Sequence, residues 1–199
     1  MQKALLGIVI AMSAVSAQDT KPTCNHCSAT YIATEELQAY LKRAMANNLI
    51  DQQVRSVDIG KSQVGIGMVY RGKLAAPAKD SVAEHDLISE VYHIIDGTAT
   101  FVTGPDMVEE KRRPATLQTV REFNGPGNNA ASIQNGVTYH LKPGDVIVIP
   151  AGVGHWFTRI DDHIAYLMVR IDPDKAVPLK DEAASKAYLR SEPKPAARE

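Results

Sequence analysis

Hydrophobic and polar residues alternate in short runs along most of the chain after residue 52, and turn-forming residues separate the runs. Alternation with a period of two is typical of β-strands that bury one face. The runs predict strands at residues 54–58, 64–70, 90–95, 98–103, 138–141, 145–149, 156–160 and 164–171. Short strands at this spacing, with glycine and proline between them, favour one all-β domain, an antiparallel sandwich or barrel.

The segment before the strands has a helical period instead. Apolar residues recur three and four positions apart and form one stripe, which consists of Leu37, Tyr40, Leu41, Ala44 and Met45. We therefore expect a helix at residues 35–47, with Thr34 as its N-cap and two glutamates in its first turn. The stripe is expected to pack on the barrel wall or on a second subunit, so a homodimer is an open alternative.

Two further segments lack the alternation. Residues 109–113 are expected to form a solvent-exposed charge cluster, and residues 124–129 a flexible loop near a cavity mouth. A tail rich in Lys, Ala, Pro and Glu begins at residue 173, and a short helix is expected within it at residues 181–189.

The first 17 residues have a lysine at position 3, an apolar run at residues 4–12 and small residues before Gln18. This is the pattern of a cleaved secretory signal peptide. The apolar run is too short to span a bilayer, although a retained anchor is the alternative. We expect a mature protein that is periplasmic or secreted and has no membrane attachment after cleavage.

The charge balance narrows the range of partners. The chain has 22 Lys and Arg residues against 23 Asp and Glu residues, which gives a net charge of −1. No stretch concentrates basic residues on one face, so a nucleic acid is not an expected partner. The mature chain is long enough for one domain with its own hydrophobic core.

The two cysteines, Cys24 and Cys27, are only three positions apart. In an oxidising compartment such a pair is expected to form a disulfide. A redox pair is a second alternative, although the βαβ setting usual for that role is missing from the sequence. A soft-metal site that includes His26 is the third.

Two segments at some distance from each other carry the candidate chemistry. The later segment contains Gly144, Pro150, Gly152 and His155 at spacings of six, two and three residues. The earlier one contains His85, Glu90 and Gly97 at spacings of five and seven residues. These spacings resemble the two signature motifs of the cupin superfamily, Gly-x5-His-x-His-x3-4-Glu-x6-Gly and Gly-x5-Pro-x-Gly-x2-His-x3-Asn.

The resemblance covers about residues 60–171 and implies a single jelly-roll barrel. The domain plan is then a signal peptide (1–17), a Cys-x-x-Cys segment with a helix (18–52), the cupin barrel (53–172) and a tail (173–199). Three positions depart from the motifs, because Pro77 replaces the opening glycine, Ala83 the first histidine and Arg159 the final asparagine.

The resemblance implies three metal ligands in place of four, His85, Glu90 and His155. Two imidazoles and a carboxylate suit one divalent transition metal, and Mn, Fe, Zn, Ni and Cu are not distinguished by this ligand set. A cupin-shaped barrel without a metal is the alternative, and Ala83 favours it.

Strand alternation also orders the neighbours of these residues. Tyr92 is expected on the same face as Glu90, where it either donates a proton in catalysis or fills the barrel. Arg159 is expected either to face the cavity, as a catalytic cation for a substrate carboxylate, or to pair with Asp161 or Asp162 at the surface. His93, His140 and His163 are not expected to be ligands.

The resemblance implies two functions of different kinds. One is a secreted or periplasmic metal-dependent enzyme that acts on a small oxygen-bearing substrate, with a carboxylate as one candidate, as a dioxygenase, lyase or isomerase. The other is a non-catalytic module that binds a small ligand or a metal. One scaffold hosts many chemistries, so the fold does not choose between them.

Overall fold

The computed structural model describes residues 21–24 and 27–192. The predicted signal peptide at residues 1–17 lies outside these described residues. Cys24 and Cys27 are joined by a disulfide, as the first of the three alternatives predicts. Neither helix of the described part is long and apolar enough to cross a membrane.

The strands of the described chain are short and antiparallel. In chain order they are β1 (Asp51–Asp58), β2 (Gln63–Arg71), β3 (Val82–Ala83), β4 (Ser89–Gly97), β5 (Ala99–Gly104), β6 (Asp106–Val108), β7 (Lys111–Arg112), β8 (Asn128–Ala130), β9 (Ser132–Gln134), β10 (Val137–Leu141), β11 (Val146–Ile149), β12 (Gly154–Arg159) and β13 (Ile164–Asp172). All of the strands predicted by alternation are present, most of them with one or more extra residues at an end.

Two sheets face each other and form a jelly roll. One has the strand order β1-β2-β13-β4-β11, the other the order β10-β5-β12-β3-β8-β7, and β6 pairs with β9 in a small third sheet. Between the two large sheets lies the main apolar core, which consists of Val69, Tyr92, Ile94, Ala99, Phe101, Leu141, Ile149, Phe157, Ile160, Ile164, Tyr166 and Met168. The all-β jelly-roll fold expected from the sequence is therefore confirmed.

The region between residues 106 and 134 has more order than the sequence indicates. It contains β6 to β9 and a short π-helical turn at Val120–Asn124. Strands of two or three residues are too short for alternation to mark them. Of these, β7 and β8 extend the second sheet next to β3, which brings residues 111–113 close to the segment that contains His85.

Two helices cover part of the outer face of the first sheet. Helix α1 (Thr34–Asn47) buries Tyr40 and Ala44, and helix α2 (Glu182–Arg190) stacks the ring of Tyr188 on that of Tyr40 at 5.4 Å. Val54 and Met68 lie beneath them. The apolar stripe thus packs on the barrel wall, except for Met45, which is half exposed.

The helix ends differ in how they are capped. Asp181 caps α2, since its carboxylate accepts a hydrogen bond from the backbone N–H of Ala184 at 2.8 Å. The expectation that Thr34 caps α1 is wrong. Thr34 is the first helical residue, and Ala33 occupies the capping position without a side-chain hydrogen bond.

Candidate metal centre

His85, Glu90 and His155 come from three separate elements that the sheets bring together. His85 follows β3, Glu90 lies near the start of β4 and His155 near the start of β12. Glu90 is paired across the sheet with Ile149, and the turn after that residue is tied to His85 by a hydrogen bond from the backbone N–H of Gly152, at 2.8 Å. The turn of the second motif therefore links Glu90 to His85.

The reactive atoms of the three side chains meet inside the barrel. The Nε2 atom of His85 is 3.4 Å from Oε1 of Glu90, and Nε2 of His155 is 3.5 Å from Oε2 of the same carboxylate. All three candidate ligand atoms lie within 4.8 Å of one another, and the side chains are buried. Within the described part of the chain, this is the single group of three His, Cys, Asp or Glu residues with that geometry.

His155 is oriented as a metal ligand requires. Its Nδ1 atom is 3.2 Å from the backbone carbonyl oxygen of Val153, and since a carbonyl only accepts, Nδ1 carries the proton. The Nε2 atom of the neutral ring then has a lone pair, and this lone pair faces the carboxylate of Glu90. A metal-bound histidine has the same arrangement, in which the other nitrogen donates to a backbone carbonyl.

The charges of the site are set by burial and by close partners. Burial lowers the pKa of His155 to about 4, although Glu90 opposes this shift. Burial alone would raise the pKa of Glu90, but interactions with His85, His155 and Arg170 hold it well below its usual value. Near neutral pH the site therefore presents an ionised carboxylate and an uncharged His155. Two sets of lone pairs 3.5 Å apart repel each other, and a cation between them removes the repulsion.

Glu90 is held by two further side chains. The Tyr92 hydroxyl donates a hydrogen bond to Oε2 at 2.7 Å, and burial, together with the charge of Glu90, raises the pKa of that hydroxyl well above its usual value. Arg170 places its Nε atom 3.6 Å from Oε1. Tyr92 also stacks on Tyr166 with ring centroids 4.4 Å apart, so it both fills the barrel and holds the carboxylate.

Arg170 is a buried arginine that the motifs do not mark. Its side chain is 1% exposed and pairs with the carboxylate of Asp51 on β1. It also donates to Oε1 of Gln53 at 2.6 Å and to Oδ1 of Asn124 at 3.0 Å. This network connects Glu90 to the first strand of the barrel.

Arg113 is a second residue that the sequence analysis missed. It is half-buried, and its Nη2 atom lies 2.8 Å from Nδ1 of His85. The expectation that the whole 109–113 cluster faces solvent is wrong for this residue, because the pairing of β7 with β8 turns it towards β3. The signal in the sequence is a run of three basic residues, which gives no hint that the last one points inward.

Arg159 does not reach the centre, so its predicted catalytic role at the cavity is wrong. Its side chain is 66% exposed and donates to the carboxylate of Asp161 at 2.6 Å. The physical reason is a bulge in β12, where the register shifts between Phe157 and Arg159. The bulge breaks the alternation that assigned Arg159 to the inner face. The predicted surface alternative, a pair with Asp161, is the one observed.

The other histidines of the barrel lie away from the centre. His93 and His140 are exposed. His163 forms ion pairs with Asp162 and Asp96, and hydrogen bonds to these two carboxylates raise its pKa. Two surface grooves lie beside His140 at the edges of β10 and β11, and residues of the metal centre line neither of them.

The metal-free protein is expected to lose stability as the pH falls from 6.5 towards 4. His155 has a pKa of about 4 in the fold against a usual value of 6.5, so the unfolded chain takes up its proton first. Glu90, whose pKa is also lowered, adds to the loss below its usual value of 4.5. Both groups bind more protons in the unfolded state, and stability therefore decreases with falling pH. Urea unfolding across this interval checks the expectation, and a His155→Gln variant with an equally steep profile would contradict the assignment.

Comparison with solved structures finds proteins of similar shape and low sequence identity. The protein BH2720 from Bacillus halodurans is 13% identical over 82% of this chain and 98% of its own, with a TM-score of 0.41. A cupin protein from Bacteroides fragilis is 13% identical over 56% of this chain and 68% of its own, with a TM-score of 0.35. The DMSP lyase DddQ from Ruegeria pomeroyi is 17% identical over 65% of this chain and 45% of its own, with a TM-score of 0.34.

The extent of these similarities is limited. The chain spans 45% of that lyase and 37% of a chain in a structure of the DMSP lyases RdDddP and RnDddQII. The TM-scores given above lie below 0.5, so they carry no inference about activity. Comparison with curated protein sequences gives no significant match.

One family model matches part of the sequence. Residues 133–197 are similar to the AraC-like ligand binding domain, which is a cupin-type barrel. The matched segment begins within β9 and includes the whole second motif with His155. The match covers less than half of the chain and is a similarity to this family. The jelly-roll fold and the meeting of the two motifs at one point agree with the same resemblance to cupins.

Proposed function

We propose that this protein is a metal-dependent cupin enzyme that acts on a small oxygen-bearing substrate as a dioxygenase, lyase or isomerase. One observation carries the proposal. The Nε2 lone pair of His155 and the ionised carboxylate of Glu90 face each other at 3.5 Å in a buried site, with His85 beside them. Such an arrangement is stable with a cation between the ligands and is costly without one.

His85, Glu90 and His155 would hold the metal. Bound there, a divalent transition metal supplies Lewis-acid or redox chemistry and leaves coordination positions for substrate. Glu90 keeps its charge and orientation through Tyr92 and Arg170. The surrounding aromatic side chains exclude bulk water, which strengthens the electrostatic interactions at the site.

Tyr92 is the candidate proton carrier of the site. Its hydroxyl group lies 2.7 Å from Glu90 and keeps its proton at neutral pH. The hydroxyl has a single proton, which it donates to Glu90, so Tyr92 would have to exchange that hydrogen bond before it donated to a substrate oxygen that develops negative charge. Arg159 supplies no cation for a substrate carboxylate at this site, since its side chain lies at the surface.

The proposed location is the periplasm or the exterior of the cell. The signal-like pattern of residues 1–17 supports it. The disulfide between Cys24 and Cys27 also supports it, because disulfides persist mainly in oxidising compartments. Isolation of the mature protein from cell fractions, with determination of its first residue, tests this part. An uncleaved chain in the cytoplasm would contradict it.

The metal is tested by elemental analysis of protein purified without an affinity tag. We expect about one equivalent of a divalent transition metal per chain, which a strong chelator removes and a single added ion restores. The experiment also identifies the ion. A metal content far below one equivalent that does not rise on reconstitution would refute the proposal.

A second candidate is a ligand-binding module without turnover. The match of residues 133–197 to a domain whose described role is ligand binding favours it. The formation of a product distinguishes the enzyme from the binding module. Incubation of the metal-loaded protein with a mixture of small oxygen-bearing acids and sugars, followed by mass spectrometry, shows products for an enzyme and unchanged bound ligand for a binding module.

A further inference from the structure

In the hydrogen bond between Arg113 and His85 the arginine is the donor, and this direction is incompatible with metal binding by the Nε2 atom of His85. A guanidinium group is always charged and only donates hydrogen bonds. Nδ1 of His85, 2.8 Å from Nη2 of Arg113, must therefore accept. The proton of the neutral imidazole then resides on Nε2, and Nε2 is the atom that faces Oε1 of Glu90 at 3.4 Å. In this state His85 has no lone pair for a metal.

The two histidines of the centre are thus held in opposite tautomers. At His155 the backbone carbonyl of Val153 fixes the proton on Nδ1 and leaves Nε2 available. At His85 the donor Arg113 fixes the proton on Nε2, which points to Glu90. The metal-free centre is therefore partly satisfied by its own hydrogen bond. Metal binding at His85 requires the proton to change from Nε2 to Nδ1 and Arg113 to leave Nδ1.

The position of Arg113 is built into the fold. Its backbone N–H donates to the carbonyl of Gly127 at 3.1 Å, and its Nη2 atom also donates to the carbonyl of Glu84. A Cβ atom at residue 127 would collide with the backbone carbonyl of Glu84 and with Nη2, so the glycine leaves room for both. Arg112 beside it forms a two-fold hydrogen bond with Asp86.

We propose that Arg113 is a positioning residue that opposes metal binding at His85, because it holds the imidazole in the tautomer with the proton on Nε2. The centre then binds only those ions that bind nitrogen strongly enough to displace the guanidinium. The inference rests on the proposed metal centre. Transition metals bind imidazole much more strongly than Mg²⁺ or Ca²⁺, which prefer oxygen ligands. Arg113 would therefore favour transition metals over Mg²⁺ and Ca²⁺.

A series of substitutions at residue 113 separates the polarity from the size of the side chain. Arg113→Gln offers an amide oxygen that accepts from Nδ1–H and so supports the binding tautomer. Arg113→Met has a similar length and neither donates nor accepts a strong hydrogen bond. Arg113→Lys keeps a charged donor. Loss of one charged hydrogen bond predicts a Co²⁺ affinity about ten- to a hundredfold higher for the Gln variant than for wild type. The Met variant should have an affinity between these two, and the Lys variant an affinity close to that of wild type.

Affinity is measured by titration calorimetry with Co²⁺, and tautomers by two-bond ¹H–¹⁵N spectra of the metal-free protein. The His85 signals are identified by their loss in a His85→Asn variant. Wild type is expected to show an unprotonated Nδ1 at His85, and the Gln variant a protonated one. Lys111→Gln is the matched control, because it removes an exposed cation two residues away that pairs with Asp80 and not with the segment of His85, and it should leave both readouts unchanged.

Each outcome bears on the inference. Unchanged or weaker Co²⁺ binding by the folded Gln and Met variants, or a protonated Nδ1 at His85 in wild type, would overturn it. The spectra need no metal. A wild-type protein that binds no Co²⁺ but shows the unprotonated Nδ1 would therefore end the proposed metal centre while the role of Arg113 in the tautomer stands.

Discussion

The His155→Ala variant is expected to bind divalent transition metal more than about a hundredfold more weakly than wild type. Loss of a partner that only orients a metal ligand already costs ten- to a hundredfold in affinity, and His155 is proposed as a ligand itself. Its Nε2 atom is the one in the centre that already carries a lone pair directed at Glu90. Metal content and Co²⁺ affinity of the purified variant measure the effect, and any turnover should disappear with the metal.

His93→Ala is the matched control for this variant. His93 lies three residues after Glu90 on β4 but is exposed, so its loss removes an imidazole without touching the centre. It should bind metal as wild type does. Full metal occupancy in a folded His155→Ala protein would end the assignment of this residue as a ligand.

The Arg170→Met variant is expected to lose about 3–5 kcal/mol of folding free energy, the typical cost of removing one partner of a buried ion pair. The side chain is 1% exposed, and its removal leaves the carboxylates of Asp51 and Glu90 without their shared cation. Urea unfolding monitored by circular dichroism gives the change. A variant that expresses only in inclusion bodies is replaced by Arg170→Lys, which keeps the charge and should lose less.

Arg159→Met provides the comparison for Arg170. Both are arginines paired with an aspartate, but the Arg159 side chain is 66% exposed. Exposed ion pairs contribute about 0–1 kcal/mol, so this variant should unfold close to wild type. Equal losses of folding free energy from the two substitutions would contradict the expected cost of leaving the buried carboxylates of Asp51 and Glu90 without Arg170.

The sequence predicts the strands of the barrel well because alternation is a direct result of burying one face of a sheet. The convergence of the two motifs is implied by their resemblance to the cupin motifs. The spacing from Gly144 to His155 by itself corresponds to a strand, a turn and the start of the next strand. Strands β3 and β6 to β9 are not predicted, because two or three residues are too few to show a period.

The wrong or missing predictions around the site have a common cause. Alternation along a strand and local composition describe one element at a time and contain no information on how elements pair. A bulge next to Phe157 reverses the side on which Arg159 lies. Arg113 resembles its exposed neighbours in sequence and differs from them only through the pairing of β7 with β8 and of β8 with β3. In the same way, nothing in the run Ile164–Asp172 distinguishes Arg170 from an arginine at the surface.

The place of β13 in the first sheet has a consequence for the order of events during biosynthesis. The last strand of the described residues lies at the centre of that sheet, with β2 on one side and β4 on the other. Until residues 164–172 have left the ribosome, these two parts have no partner to join them, and Glu90 lacks the arginine that neutralises its charge. Contacts between such distant segments form slowly. The first sheet therefore closes only once residues 164–172 are available, and the carboxylate of Glu90 gains its arginine partner at the same step.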